Sequence, residues 1–182
     1  MNEEKMILGI SSFLEGMGLD LNDQHLEKTP QRVMRAWRDS FASGYSQNAE
    51  DILSVEFDEE YSSMVVVKDI PYISYCSHHL VPFIGTAKIG YIPDGKVTGL
   101  SKLARVLDMY AKRLQVQERL TEQVANTIQK ILEPKGVGVV LEGQHMCMTH
   151  RGVQKPGSNT ITSCLLGEMM DNSCTRQEFL SF

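Results

Sequence analysis

At Met64 the chain changes its hydrophobic period, and that change limits the folds open to it. The run MVVVKDIPYISYC (64–76) is β-branched and aromatic and predicts a strand. FIGTAKIGYIP (83–93) alternates, with Ala87, Ile89 and Tyr91 on one face and Thr86, Lys88 and Gly90 on the other. The turn PDGK closes it, so the two runs are expected to pair antiparallel. The period then becomes helical. One helix is expected to start at Ser101, with Leu103, Val106, Leu107 and Tyr110 on its apolar side. A second, about 117–132, has Leu120, Val124, Ile128 and Ile131 in one stripe and is stopped by Pro134 and Gly136. GVGVVLEG, QHMCMTHRG and TITSCLLGEM read as strands again. The order ββααββ predicts an α+β fold: an antiparallel sheet with helices on one face.

Before Met64 the pattern is weaker. Ile7, Ile10 and Leu14 have helical spacing over about 4–17. Thr29-Pro30 predicts a sharp helix start, with Thr29 as N-cap and Pro30 in the first helical position, followed by Val33, Trp37 and Phe41. Residues 44–60 are polar and read as a linker. The expected organisation is a helical extension and linker over 1–60 and one catalytic domain over 61–182.

Composition narrows the functional classes. A net charge of −5 argues against general nucleic-acid binding, although a local basic cluster could still hold a small anion. No apolar run of about 18 residues predicts a membrane span. The N-terminus is acidic rather than basic and has no export signal, which predicts a cytoplasmic protein. In that compartment, Cys76, Cys147, Cys164 and Cys174 are expected to be free or metal-bound rather than disulfide-bonded.

Two short segments carry metal chemistry. In Cys76-Ser77-His78-His79 a thiolate and an imidazole can chelate one ion, and spacing leaves open which histidine does so. In His145-x-Cys147, strand geometry would point both side chains, with Thr149 and Arg151, the same way. If the segments meet, two thiolates and an imidazole converge. Three such ligands with a fourth position open to water is the catalytic zinc arrangement; a fourth protein ligand such as Cys164 would make it structural. Cys164, in an apolar strand, and Cys174, in a polar tail, read as structural. The H-x-E and P-C-x-x-C pair of zinc nucleobase deaminases is absent.

A second constellation is basic. Ser101, Lys102 and Arg105 lie at a predicted helix N-terminus, where backbone N–H groups favour an anion. Arg32 sits in a first helical turn, where a cation opposes the dipole. Glu118, paired with Gln117, opens the last long helix and offers a carboxylate to paired N–H donors.

These segments together carry a resemblance. CSHHLVPFIGTAKIGYIP, GLSKLARVLD, QVQERLTEQVA and GQHMCMTHRGVQK, with TPQRVMRAW and TRQEFL, resemble the GTP cyclohydrolase I family in order and spacing over about residues 25–182. The resemblance implies the tunnelling fold, an antiparallel sheet backed by two helices. It implies Zn2+ on Cys76, His79 and Cys147, and acid/base roles for His78 and His145. Glu118 would anchor the guanine of GTP with Gln117 and Ser101, while Lys102, Arg105, Arg151 and Arg32 would hold the triphosphate. It further implies a homo-oligomer, a decamer, with active sites at subunit interfaces and Arg32 serving a neighbour. The implied reaction is zinc-dependent hydrolysis and rearrangement of GTP to 7,8-dihydroneopterin triphosphate with release of formate. The chain departs from the family at Ser77, where an acidic residue is usual, so the locality carries one carboxylate fewer.

Overall fold

In the computed structural model, which describes residues 1–54 and 56–182, the β-branched run after Met64 forms β2 (Val65–Cys76) and the alternating run forms β3 (Pro82–Ile92). The two pair antiparallel from Val65↔Tyr91 to Tyr75↔Pro82. The pairing slips once: Val67 faces Ile89 and Ile70 faces Ala87, so Lys68 and Asp69 together oppose Lys88. This is a β-bulge, with Asp69 at φ 57°. It exchanges the two faces of β2. Val65 and Val67 pack on the core before it, and Ile70, Tyr72 and Cys76 do so after it.

The remaining elements follow in chain order. Short β4 (Lys96–Thr98) pairs with β1 (Glu56–Asp58). Helix α4 spans Leu100–Ala111, beginning one residue before the expected Ser101. β5 (Leu114–Gln115) lies parallel to the end of β2, and α5 spans Gln117–Leu132. β6 (Gly136–His145) and β7 (Thr160–Gly167) complete a sheet of order β5-β2-β3-β6-β7, antiparallel throughout except at β5. Phe83, Ala87, Ile89 and Tyr91 of β3 and Val137, Val139 and Leu141 of β6 bury against Leu103, Val106 and Leu107 of α4 and Leu120, Val124 and Ile128 of α5. The expected α+β architecture, a sheet backed by two helices, is therefore present. Tyr110 and Ile131 are only half-buried, and the Tyr110 hydroxyl bonds Thr127 Oγ1 at 2.7 Å, tying α4 to α5.

Three expectations are corrected. The strand through QHMCMTHRG ends at His145, and residues Met146–Thr149 form a single helical turn, α6. The reason is the loss of neighbours: pairing to β3 ends at Phe83↔His145 and pairing to β7 at Gly143↔Thr160. Beyond them the backbone satisfies itself locally, His150 N–H donating to Met146 O at 3.0 Å. His145, Cys147, Thr149 and Arg151 thus share no strand face. Second, the stretch 44–60 is not a bare linker. It holds a 3-10 turn at Ser43–Ser46, helix α3 (Ala49–Leu53) and β1, with Leu53 fully buried in the core; Val55 lies outside the described residues. The Asn48 side chain accepts from Glu50 N–H, which caps α3 despite its polar sequence. Third, Thr29 does not cap its helix. α2 (Thr29–Ala36) has Lys28 at the cap position, and the Thr29 hydroxyl donates to His25 O.

Contacts divide the chain into two compact units, Met1–Ser43 and Gly44–Phe182. The first contains α1 (Glu3–Gly16), capped by Asn2, and α2, which runs on into a π-helical turn at Trp37–Phe41. Arg38 bridges Glu3 and Asp39 there. No described helix is long and apolar enough to cross a membrane.

On the sheet face away from α4 and α5, short α7 (Glu168–Asp171) and C-terminal α8 (Ser173–Ser181) bring Met169 and Phe179 against Ile92, Val66 and Val140. Lys88 Nζ donates to Phe179 O and Leu180 O at the end of α8, where a cation suits the helix dipole. Gly138 makes this packing possible: a Cβ there would lie 2.6 Å from both Met169 Sδ and Phe179 Cε1. Gly138→Ala should therefore overpack the cluster and cost about 1–3 kcal/mol. A lowered Tm in thermal unfolding, with metal content unchanged, is the expected result.

Candidate active site

β2 delivers Cys76 buried at its end, because the bulge has turned its last residues toward the helices. A tight turn follows. Leu80 N–H donates to Cys76 O, Cys76 N–H to Val81 O, and Leu80 takes φ 56°. The turn folds both histidines back on the thiol: His78 Nδ1 lies 3.7 Å and His79 Nδ1 3.8 Å from Cys76 Sγ. Cys147 arrives from α6, beyond the end of β6. The ligand atoms of Cys76, His79 and Cys147 all lie within 4.8 Å of one another.

The donor set fits a thiophilic divalent ion. Tetrahedral zinc places sulfur and nitrogen ligands about 3.5–3.8 Å apart, matching the Cys76–His79 separation. Two sulfurs and an imidazole suit zinc far better than magnesium or calcium. Burial raises the Cys147 thiol above its ordinary range, the neighbouring Cys76 adds to this, and Arg151 opposes it. A bound cation would reverse that balance and favour both thiolates. Cys164 is not in this group. It sits on β7 opposite Val139, packed on the core, its thiol raised by burial and by Glu122. Cys174 is exposed on α8.

His145 ends β6 directly opposite Phe83, and the two rings stack with centroids 4.5 Å apart and planes 3° from parallel. Its Nε2 lies 2.8 Å from Gln117 Oε1. Burial holds His145 below the ordinary imidazole value, while Glu118 pulls the other way. Gln117 itself is 1% exposed, and its amide nitrogen is bonded within the protein.

The remaining residues lie nearer the surface. Glu118 is exposed in the first turn of α5. Ser101 and Arg105 are exposed and Lys102 half-buried in the first turns of α4, whose N-cap is Gly99. Arg151 is exposed just beyond α6, close enough to influence the Cys147 thiol. Arg32 is exposed on α2, in the N-terminal unit.

Sequence reasoning missed the residues that hold the site from behind. Phe83, Tyr72, Gly143, Thr121 and Thr162 surround His145 and Gln117, and nothing in their spacing marks them apart from ordinary sheet and helix residues. Gly143 is required by close approach, since a Cβ there would lie 2.7 Å from Tyr72 Oη and 2.8 Å from Gln117 Oε1. The Tyr72 hydroxyl is buried without a hydrogen-bond partner among the described residues.

Comparison with known proteins agrees in extent. The family model described as GTP cyclohydrolase I matches residues 7–182. The GTP cyclohydrolase 1 of Streptomyces avermitilis is 52% identical over 182 residues, covering 99% of this chain and 90% of the relative. That of Streptococcus agalactiae is 49% identical over 181 residues, covering 99% and 96%. Among solved structures, an archaeosine synthase QueF-Like in the apo form superposes with a TM-score of 0.50 at 18% identity. It covers 59% of this chain and 97% of that one, a likeness of fold alone, the tunnelling fold. With the match running nearly end to end at about half identity, the chain belongs to the GTP cyclohydrolase I family of enzymes.

Proposed function

We propose that the protein hydrolyses and rearranges GTP to 7,8-dihydroneopterin triphosphate, releasing formate. The observation that carries this reading is the three-donor group Cys76, His79 and Cys147 beside His78 and His145, in a chain of this family. Zn2+ held by those three residues would supply Lewis acidity for attack of water on C8 of the guanine ring.

The chain's own residues do the rest. His145 and His78 move protons as the imidazole ring of the base opens, and an imidazole suits this because it exchanges protons near neutral pH. Glu118 accepts from the paired N–H donors of the guanine edge, which adenine lacks, helped by Ser101. Lys102, Arg105 and Arg151 meet the triphosphate, and guanidinium forks suit phosphate oxygens. Residues 61–182 carry this chemistry, and Arg32, in the N-terminal unit, serves a neighbouring subunit.

Assembly into a homo-oligomer, the decamer that the family resemblance implies, is part of the same reading. Ile73 and Ile84 face each other across β2 and β3 and are 41% and 53% exposed, and Ile161 on β7 is 67% exposed. These exposed isoleucines, on a sheet face they share with Glu142 and Gln144, suit burial against another copy. The same reading makes it a cytoplasmic protein, since free thiols persist in that compartment.

Three outcomes are expected. Purified protein should release formate from GTP, and a metal chelator should abolish it; a folded, zinc-loaded protein that releases none would sink the reading and point to an altered substrate, with Ser77 the first suspect. Glu118→Gln should cost about 1–3 kcal/mol of guanine recognition, or roughly 5- to 150-fold in kcat/KM for GTP; unchanged kinetics would remove Glu118 from the base site. Ile84→Lys should shift the mass measured by light scattering from a large assembly toward smaller species.

A further inference from the structure

We propose that Gln117 is a positioning residue, not a contact to the base: it fixes the proton of His145 on Nε2 and leaves Nδ1 as the nitrogen that meets the substrate. This rests on the reading of His145 as an acid/base residue of GTP ring opening.

Hydrogen-bond polarity carries the inference. Gln117 Nε2 lies 3.1 Å from Leu141 O, 2.9 Å from Thr160 O and 3.1 Å from Thr162 Oγ1. Two of these are backbone carbonyls, which only accept, so the NH2 end of the amide must face them. The third contact agrees. The Thr121 hydroxyl donates to Gln117 O at 2.8 Å, so in its 2.6 Å contact with Thr162 it accepts, and the Thr162 hydroxyl donates to it. Thr162 then keeps lone pairs for the amide. With the NH2 so placed, Oε1 faces His145 Nε2 at 2.8 Å. A carboxamide oxygen only accepts, so Nε2 must carry hydrogen. In the neutral ring the lone pair is then on Nδ1, which has no hydrogen-bond partner among the described residues.

Packing holds the ring in that pose. Phe83 stacks on it, and Gly143 leaves the gap in which the amide oxygen reaches it. The carbonyls of β6 and β7 thus set the amide, and the amide sets the imidazole. The Gln117 side chain is 1% exposed and both ends of its amide are engaged, so it has nothing left to offer a nucleotide.

The test is nitrogen NMR of 15N-histidine-labelled, zinc-loaded protein, at a pH where the imidazoles are neutral. His145→Asn assigns the signal among the five histidines. The expected wild-type spectrum shows His145 as the Nε2–H tautomer; an Nδ1–H tautomer overturns the proposal, and this measurement needs no Gln117 variant to fold. Gln117→Met, close in size but with no acceptor, should give a mixture of tautomers. Its kcat for formate release should fall roughly 100-fold, with KM for GTP moving less than about 3-fold. Thr162→Val, which frees one side of the amide, should shift both readouts the same way by less. A raised KM with kcat kept would make Gln117 a substrate contact and overturn the proposal. Wild-type protein that turns over no GTP would instead defeat the reading of function, while the tautomer measurement would still decide the role of Gln117.

Discussion

Strand β3 is paired on both edges, to β2 from Val65↔Tyr91 to Tyr75↔Pro82 and to β6 from Ile92↔Gly136 to Phe83↔His145. Because both partners are antiparallel to it, the last residue of β2 and the last residue of β6 come to the same end of the sheet. Cys76 stands at one and His145 at the other. The ladder also fixes facing, since strand side chains alternate. A single bulge at Lys68–Asp69 changes the parity of β2 and brings Cys76 to the helix side. An unbroken ladder through the same sequence, without the bulge, would turn the thiol to the opposite face.

The chemistry then begins where the ladders stop. After Ser77, whose N–H still donates to Gln115 O of β5, and after His145, each segment closes on itself, one as the turn carrying His78 and His79, the other as α6 carrying Cys147. Both local folds are short, and each brings side chains back toward the strand end it left. Regular structure supplies the rigid platform, and its terminations supply the group of three candidate donors.

Much of this was legible beforehand. Period-two and helical spacing marked β2, β3, α4, α5, β6 and β7, because each buries one face on a common core. Thus Ala87, Ile89 and Tyr91 alternate with Thr86 and Lys88, as a half-covered sheet requires. The cysteine and histidine spacing marked the converging donor group, but for one wrong reason: His145 and Cys147 were expected to align on a strand. Pattern at that point could not show where the neighbouring strands end, which is a property of pairing rather than of the segment. The bulge was invisible for the same cause, since MVVVKDIPYISYC reads as an unbroken run. Helix α3 was hidden because its burial depends on Leu53 meeting a core built from distant residues. His78 and His79 differ only in the geometry of one turn, which spacing does not encode.

The segment Gln115-Val116-Gln117-Glu118 shows how adjacent polar residues part company. Gln115 and Gln117 are each 1% exposed and spend their amides inside. Gln115 Nε2 donates to Tyr110 O and Gln123 Oε1, and its oxygen accepts from Arg119 Nε. Gln117 joins β6, β7 and His145. Glu118 is exposed one helical residue later, about 100° around the axis. A buried amide left unpaired costs about 1–3 kcal/mol, so these two glutamines are held to their partners. Residues so committed cannot also reshape themselves around a ligand. The polarity of the amide, once set by two carbonyl oxygens, passes to the imidazole without any charge being buried. A hydrogen-bonded core position and an exposed acceptor therefore sit side by side in sequence, the first stabilising the machinery and the second open to whatever the site receives.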